Sequence, residues 1–114
     1  RAAGGDRARP TIGLMQGNAS VATDVLASYA ADAAREVEGV AGLVEGRLPR
    51  HGGVRVSSED GIVLELHLAL EWGARADQVG TEVQRRVADY LERMAGARPR
   101  TVDVVVDEIA APAP

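Results

Sequence analysis

The sequence has 114 residues, 46% apolar, 26% charged and 3% aromatic, with a net charge of −4 and a pI of about 5.1. A single domain of this size buries roughly two thirds of its unfolded surface, so it can hold a core without covalent staples. The lack of cysteine excludes disulfides, thiolate zinc sites and cysteine nucleophiles, and the acidic balance argues against a general nucleic-acid binder.

Residues 1–17 mix Gly, Ala and Arg without an apolar period and read as a flexible lead-in. No apolar run follows Arg1, Arg7 and Arg9 as a signal peptide would require, and no stretch approaches the ~18 apolar residues of a membrane span. The chain opens on Arg1, not Met, as a trimmed piece of a longer protein would. All 13 basic residues are arginine, which reads as composition. Residues 110–114 read as a frayed tail, leaving one domain over 18–109.

The first periodic element spans Ser20 to Glu38. Val21, Val25, Tyr29, Ala33 and Val37 recur every four residues, and Ala22, Leu26 and Ala30 widen the stripe of an amphipathic helix. Asn18 or Ser20 is placed to cap its start, and Gly39 with Val40 to form a Schellman-type stop. Val40 to Leu48 fits either a short strand or an extended segment, since Gly42 and Gly46 interrupt it. Arg47 to Gly53 reads as an exposed loop.

A hairpin follows. Val54-Arg55-Val56-Ser57 alternates, Glu59-Asp60-Gly61 supplies the turn, and a long strand runs to Trp72. Ile62, Leu64, Leu66, Leu68, Leu70 and Trp72 share one face, with Trp72 expected as a core plug. Val63, Glu65, His67, Ala69 and Glu71 share the other. Asp77 is expected to cap a second helix to Ala95, with Val79, Val83, Val87, Tyr90, Leu91 and Met94 on its apolar side. Gly96 stops it and Pro99 prevents its resumption. A last strand, Thr101 to Ile109, is expected to bury Val102, Val104 and Val106 and to present Asp103, Val105 and Asp107.

This order, α-(β)-β-β-α-β, predicts an α+β two-layer sandwich: two helices on one face of a small mixed sheet of three to four strands. If the strands flanking the second helix are parallel, their crossover should be right-handed.

Candidate chemistry concentrates on the helix-free face. His67 stands between Glu65 and Ala69, with Glu71 further along, which suggests a proton shuttle or half a metal site. Strand neighbours two apart are about 7 Å from one another, which limits joint ligation and favours a plain surface histidine. Glu65, Glu71, Asp103 and Asp107 could converge on a hard cation if their strands adjoin, yet acids also keep open sheets soluble. His51 with Arg47 and Arg50 lacks P-loop spacing. No nucleophile elbow or dinucleotide fingerprint is present, so the reading is non-catalytic, without metal or cofactor. Val63, Ala69 and Val105 make the same face more apolar than solvation needs, which fits equally a partner-binding surface and a merely tolerant β surface.

Three groups of residues carry a family resemblance. They are Glu36-Val37-Glu38-Gly39-Val40-Ala41-Gly42-Leu43; Gly53-Val54-Arg55-Val56 with Asp60-Gly61-Ile62-Val63 and Glu71-Trp72-Gly73; and Val83-Gln84-Arg85-Arg86-Val87 with Met94-Ala95-Gly96 and Val102-Asp103-Val104-Val105-Val106. In this order the set resembles the alkaline shock protein, or Gls-type, family of bacterial envelope stress response proteins, over roughly residues 20–109. Glu38 stands where that family has proline, Trp72 where it has tyrosine, and Ala95 and Asp103 replace its threonine and asparagine. The resemblance implies a non-catalytic cytoplasmic protein, brought to the membrane by a small membrane-anchored protein partner or associating with itself as a homo-oligomer. It implies no catalytic residues. The expected partner-binding face is Val63, Glu65, His67, Ala69, Glu71, Asp103, Val105 and Asp107. Two other readings stay open: an RNA-binding module, whose basic platform would have to be Arg47, Arg50, His51 and Arg55, and a metal or small-ligand domain on the acidic face.

Overall fold

The computed structural model describes residues 22–45 and 52–112. The elements are α1 (Thr23–Arg35), β1 (Val40–Leu43), β2 (Val54–Ser57), β3 (Val63–Leu70), α2 (Ala76–Ala95) and β4 (Thr101–Ile109). The architecture is the expected α-β-β-β-α-β order, with two helices against a four-stranded, mostly antiparallel sheet.

Every other strand pairs with β3. β1 runs antiparallel to its second half, from Val40↔Leu70 to Leu43↔Leu68, and β2 antiparallel to its first half, from Val54↔Leu66 to Ser57↔Val63. β4 runs parallel to the whole strand, from Val63↔Thr101 to Leu70↔Ile109, with α2 as the connection. β1 and β2 therefore lie end to end along one edge, and β4 takes the other. The seam falls at His67, whose N–H donates to the Gly53 carbonyl (2.9 Å) while its carbonyl accepts from Val44 N–H (2.8 Å). The chain crosses closely there. A Cβ on Gly53, whose φ is +87°, would lie 2.9 Å from Leu43 Cβ and 3.0 Å from the Val44 backbone.

The alternation of β3 is realised in full: Leu64, Leu66, Leu68 and Leu70 are buried beneath the helices. Val79, Val83, Val87 and Leu91 of α2 cover them from above. Gly96 closes α2 in the left-handed region (φ +63°), its N–H donating to Glu92 and that of Ala97 to Leu91. Tyr29 and Tyr90 join the helices edge to face, with ring centroids 5.8 Å apart.

Several expectations need correction. α1 is shorter than Ser20 to Glu38, and the proposed caps Asn18 and Ser20 lie outside the described residues. Its buried face is Leu26, Ala27, Ala30, Ala31, Ala33 and Ala34, so Val25 faces partly outward. Alanine lets the helix approach β2 and α2 closely, and that contact outweighs the single larger side chain. Gly39 is left-handed (φ +98°) as expected, but it sits in a separate turn closed by Val40 N–H on the Val37 carbonyl, three residues beyond the C-cap Glu36. Asp77 is in the first turn of α2, not at its cap, where it complements the helix dipole. Met94 is half exposed, since the apolar stripe of α2 ends at Leu91.

Two corrections concern strand ends. β3 stops at Leu70, and Trp72 projects from the following turn with 68% of its surface in solvent. In β4, Val102 and Val104 are half-buried but Val106 is exposed. α2 begins at Ala76, with Gly80 level with Val104 and the Gln84 amide donating to the Val102 carbonyl (2.9 Å). Little more than one turn of helix precedes Gly80, so among the described residues the far end of β4 has little above it.

Leu66→Ala should lower the unfolding free energy by about 2–5 kcal/mol, whereas Trp72→Ala should stay within about 0.5 kcal/mol. Gly53→Ala should cost about 2 kcal/mol through backbone strain and the crossing. Urea titrations of the three variants check all of these.

Candidate functional site

The helix-free face is built outward from β3. Strand pairing sets Arg55 of β2 opposite Glu65, Asp103 of β4 level with Glu65, and Val105 level with His67. Strict alternation would leave Asp107 level with Ala69. Instead the register shifts between Leu68 and Ala69, so that Glu108 stands opposite Ala69 and Asp107 is the extra residue. That irregularity turns the Asp107 carboxylate back onto His67.

The result is a continuous polar chain across three strands. Arg55 Nη2 donates to Glu65 Oε1 (3.0 Å), His67 Nε2 meets Glu65 Oε2 (2.5 Å), and His67 Nδ1 meets Asp107 Oδ2 (2.8 Å). The His67 side chain is 14% exposed, against 29% for Glu65 and 31% for Asp107, so the ring is the best-shielded member. Ionised carboxylates only accept, so both ring contacts are hydrogen bonds together only when both ring nitrogens carry protons. Hydrogen bonds from His67 and then Arg55, assisted by their charges, hold the Glu65 carboxyl below its ordinary 4.5 despite some desolvation.

Of the residues expected on this face, the structure draws Glu65, His67 and Asp107 together. Val63, Ala69, Asp103 and Val105 surround them. Glu71 is separate: it lies past the end of β3, in the turn that holds Trp72. The carboxylates flank opposite nitrogens of one ring and do not converge on a common point. Among the described residues no group of three or more His, Asp or Glu is arranged to hold a metal ion. The arrangement is suited to tying β4 to β3 and to fixing charge at the centre of a partly apolar surface. Arg55 and Glu108 belong to this surface although neither was expected there. The hairpin register contains the signal for Arg55, while Glu108 depends on the bulge. The loop with Arg47, Arg50 and His51 lies outside the described residues.

With this geometry in place, comparison with known proteins is decisive for the family. Residues 13–111 match the family of alkaline shock protein 23, whose description is a cell envelope-related function. The chain belongs to that family. Comparison with curated proteins gives no match. Among solved structures, the manganese form of a variant of the MamM CTD is similar, at 16% identity and a TM-score of 0.50, over 76% of this chain and 99% of that one. At that identity the likeness is one of fold. The family assignment agrees with the order of glycine turns and strands on which the resemblance rested. Among the described residues no helix is long and apolar enough to cross a membrane.

The depressed Glu65 has a pH consequence. Its contribution to stability is fully present above its unfolded value, near 4.5, and is lost as the pH falls through the lower folded value. The stability gap between the native chain and Glu65→Gln should therefore shrink as the pH falls below ~4.5. Chemical denaturation at a series of acidic pH values measures it.

Proposed function

We propose that the protein serves the cell envelope without catalysis, by contact with other proteins through its helix-free sheet face and the adjoining edge of β4. The occupants of that surface would be a membrane-anchored partner or a second copy of the chain. One observation carries the reading: both helices lie on the same side of the sheet, so among the described residues a face containing Val63, Ala69 and Val105 is left without a second layer. β4 adds to it. Among the described residues its outer edge pairs with no strand, and Val105, Val106 and Ile109 are 37%, 38% and 61% exposed. Edge strands of this length usually carry lysine, proline or a cover, and a valine-rich one without them favours a protein contact.

The polar chain Arg55–Glu65–His67–Asp107 gives that contact a fixed charged centre, which serves specificity more than affinity. A nucleic acid would instead meet Glu65, Asp103, Asp107 and Glu108, four carboxylates facing its phosphates.

Val105→Asp puts a charge at the centre of the face at a residue already exposed. It should abolish crosslinks through this face in cells that express the protein, and reduce any self-association seen by light scattering. Its melting temperature should stay within a few degrees of the parent. Unchanged crosslinks and an unchanged particle mass would locate the contact elsewhere.

A further inference from the structure

The turn from β3 into α2 has a feature that the sheet face leaves unused. Residues 71–74 close a β-turn, with Ala74 N–H donating to the Glu71 carbonyl (3.0 Å) and Gly73 (φ +87°) in the left-handed third position. Trp72 is thereby held at the tip, 68% exposed. Scattered exposed aliphatics are ordinary, but a large aromatic kept in water on a closed turn is not.

Trp72 borders a hollow of ≈ 470 Å³ with Gly39 and Val79 among its lining. The hollow is pre-formed. Glu71 N–H donates to the Gly39 carbonyl (2.8 Å), joining the turn after α1 to the turn after β3. Gly39 itself is packed so tightly that a Cβ there would lie 2.7 Å from Val79 Cγ2.

The charge around the indole is one-sided. Glu82 is already neutralised by Arg85 (2.6 Å) and Arg86 (2.9 Å), which hold its carboxyl down at about 2. Arg75, which also lines the hollow, leans to Asp77 (3.4 Å). Glu38 and Glu71 are exposed at the hollow and have no ion-pair partner among the described residues.

An exposed indole that shares a hollow with two unpaired carboxylates is the complement of a flat cation. We propose that this hollow receives an arginine side chain from an extended basic segment of a protein partner, stacked on Trp72 and hydrogen-bonded to Glu38 and Glu71. A guanidinium fits better than an ammonium because it stacks on an aromatic plane while forking to carboxylates in that plane. The site lies beyond the end of β3 and its occupation does not depend on the sheet face.

Trp72 is the single tryptophan of the chain, so its emission reports this site alone. The full chain is titrated with a blocked Gly-Arg-Gly-Arg-Gly peptide and with its citrulline counterpart, which keeps the shape and removes the charge. A saturating change with the arginine peptide is expected, at least about fivefold weaker with citrulline and weakened similarly by a Glu38→Gln, Glu71→Gln double variant. Circular dichroism should show that variant folded, since both side chains are exposed. The Val105→Asp chain should bind the peptide as the parent does, which separates this site from the sheet face. No saturable change, equal binding of the citrulline peptide, or an unaffected double variant overturns the proposal. So does a concentration-dependent emission change in the protein alone, which would seat an arginine of a second copy in the hollow.

Discussion

The structure depends on the burial of one strand. β3 supplies the only ladder partner that β1, β2 and β4 have among the described residues, and its four leucines form the floor on which both helices rest. Fully burying a leucine side chain contributes roughly 1.5–3 kcal/mol, so this single alternating segment outweighs any surface pair in the molecule. Because β1 and β2 are short and share one edge, the sheet formed by the described residues is three strands wide at any level. Two helices suffice to cover one side of it.

That economy shapes the other side. With both helices committed to the leucine face, the opposite face must be stabilised by its own side chains. The cross-strand chain from Arg55 through Glu65 and His67 to Asp107 does this, linking β2, β3 and β4 where the described residues supply no second layer. The bulge in β4 is its enabling feature, since it brings an acid onto the second ring nitrogen. At the far end of β4 the same shortage of covering elements leaves Val106 and Ile109 in water. This mixed surface, with a charged centre and aliphatic margins, is the feature on which the proposed protein contact rests. Membership of a family with a cell envelope-related function sets the context in which recognition would operate.

Much of this could be read from the residues in order. The period-two run from Ile62 to Leu70, the Glu59-Asp60-Gly61 turn and the Gly96 stop each specify local geometry through sterics or side-chain direction, and each appears as expected. The ordered set of such signals also pointed to the family. Expectations failed where packing between distant segments decides. Trp72 continues the apolar alternation but falls past the last ladder residue, and the rotation of α1 follows its alanines because close approach matters more there than side-chain size. Of the site, His67 and its neighbour Glu65 were evident as a pair on one face. Their link to Asp107 was not, because a bulge shifts side chains by one residue without any mark in the alternation.

The sequence by itself determined the element order, the leucine face of β3, the helix stop at Gly96 and the family. These follow from local sterics and from the two periods of helix and strand, which act within a few residues. Only the tertiary structure decided that β1 and β2 share an edge, that Asp107 closes on His67, that Glu71 leaves the sheet face, and that Trp72 stands in solvent at a hollow it shares with Glu38. Each of these depends on the register and relative position of segments tens of residues apart in sequence, which hydropathy and spacing along one chain do not encode.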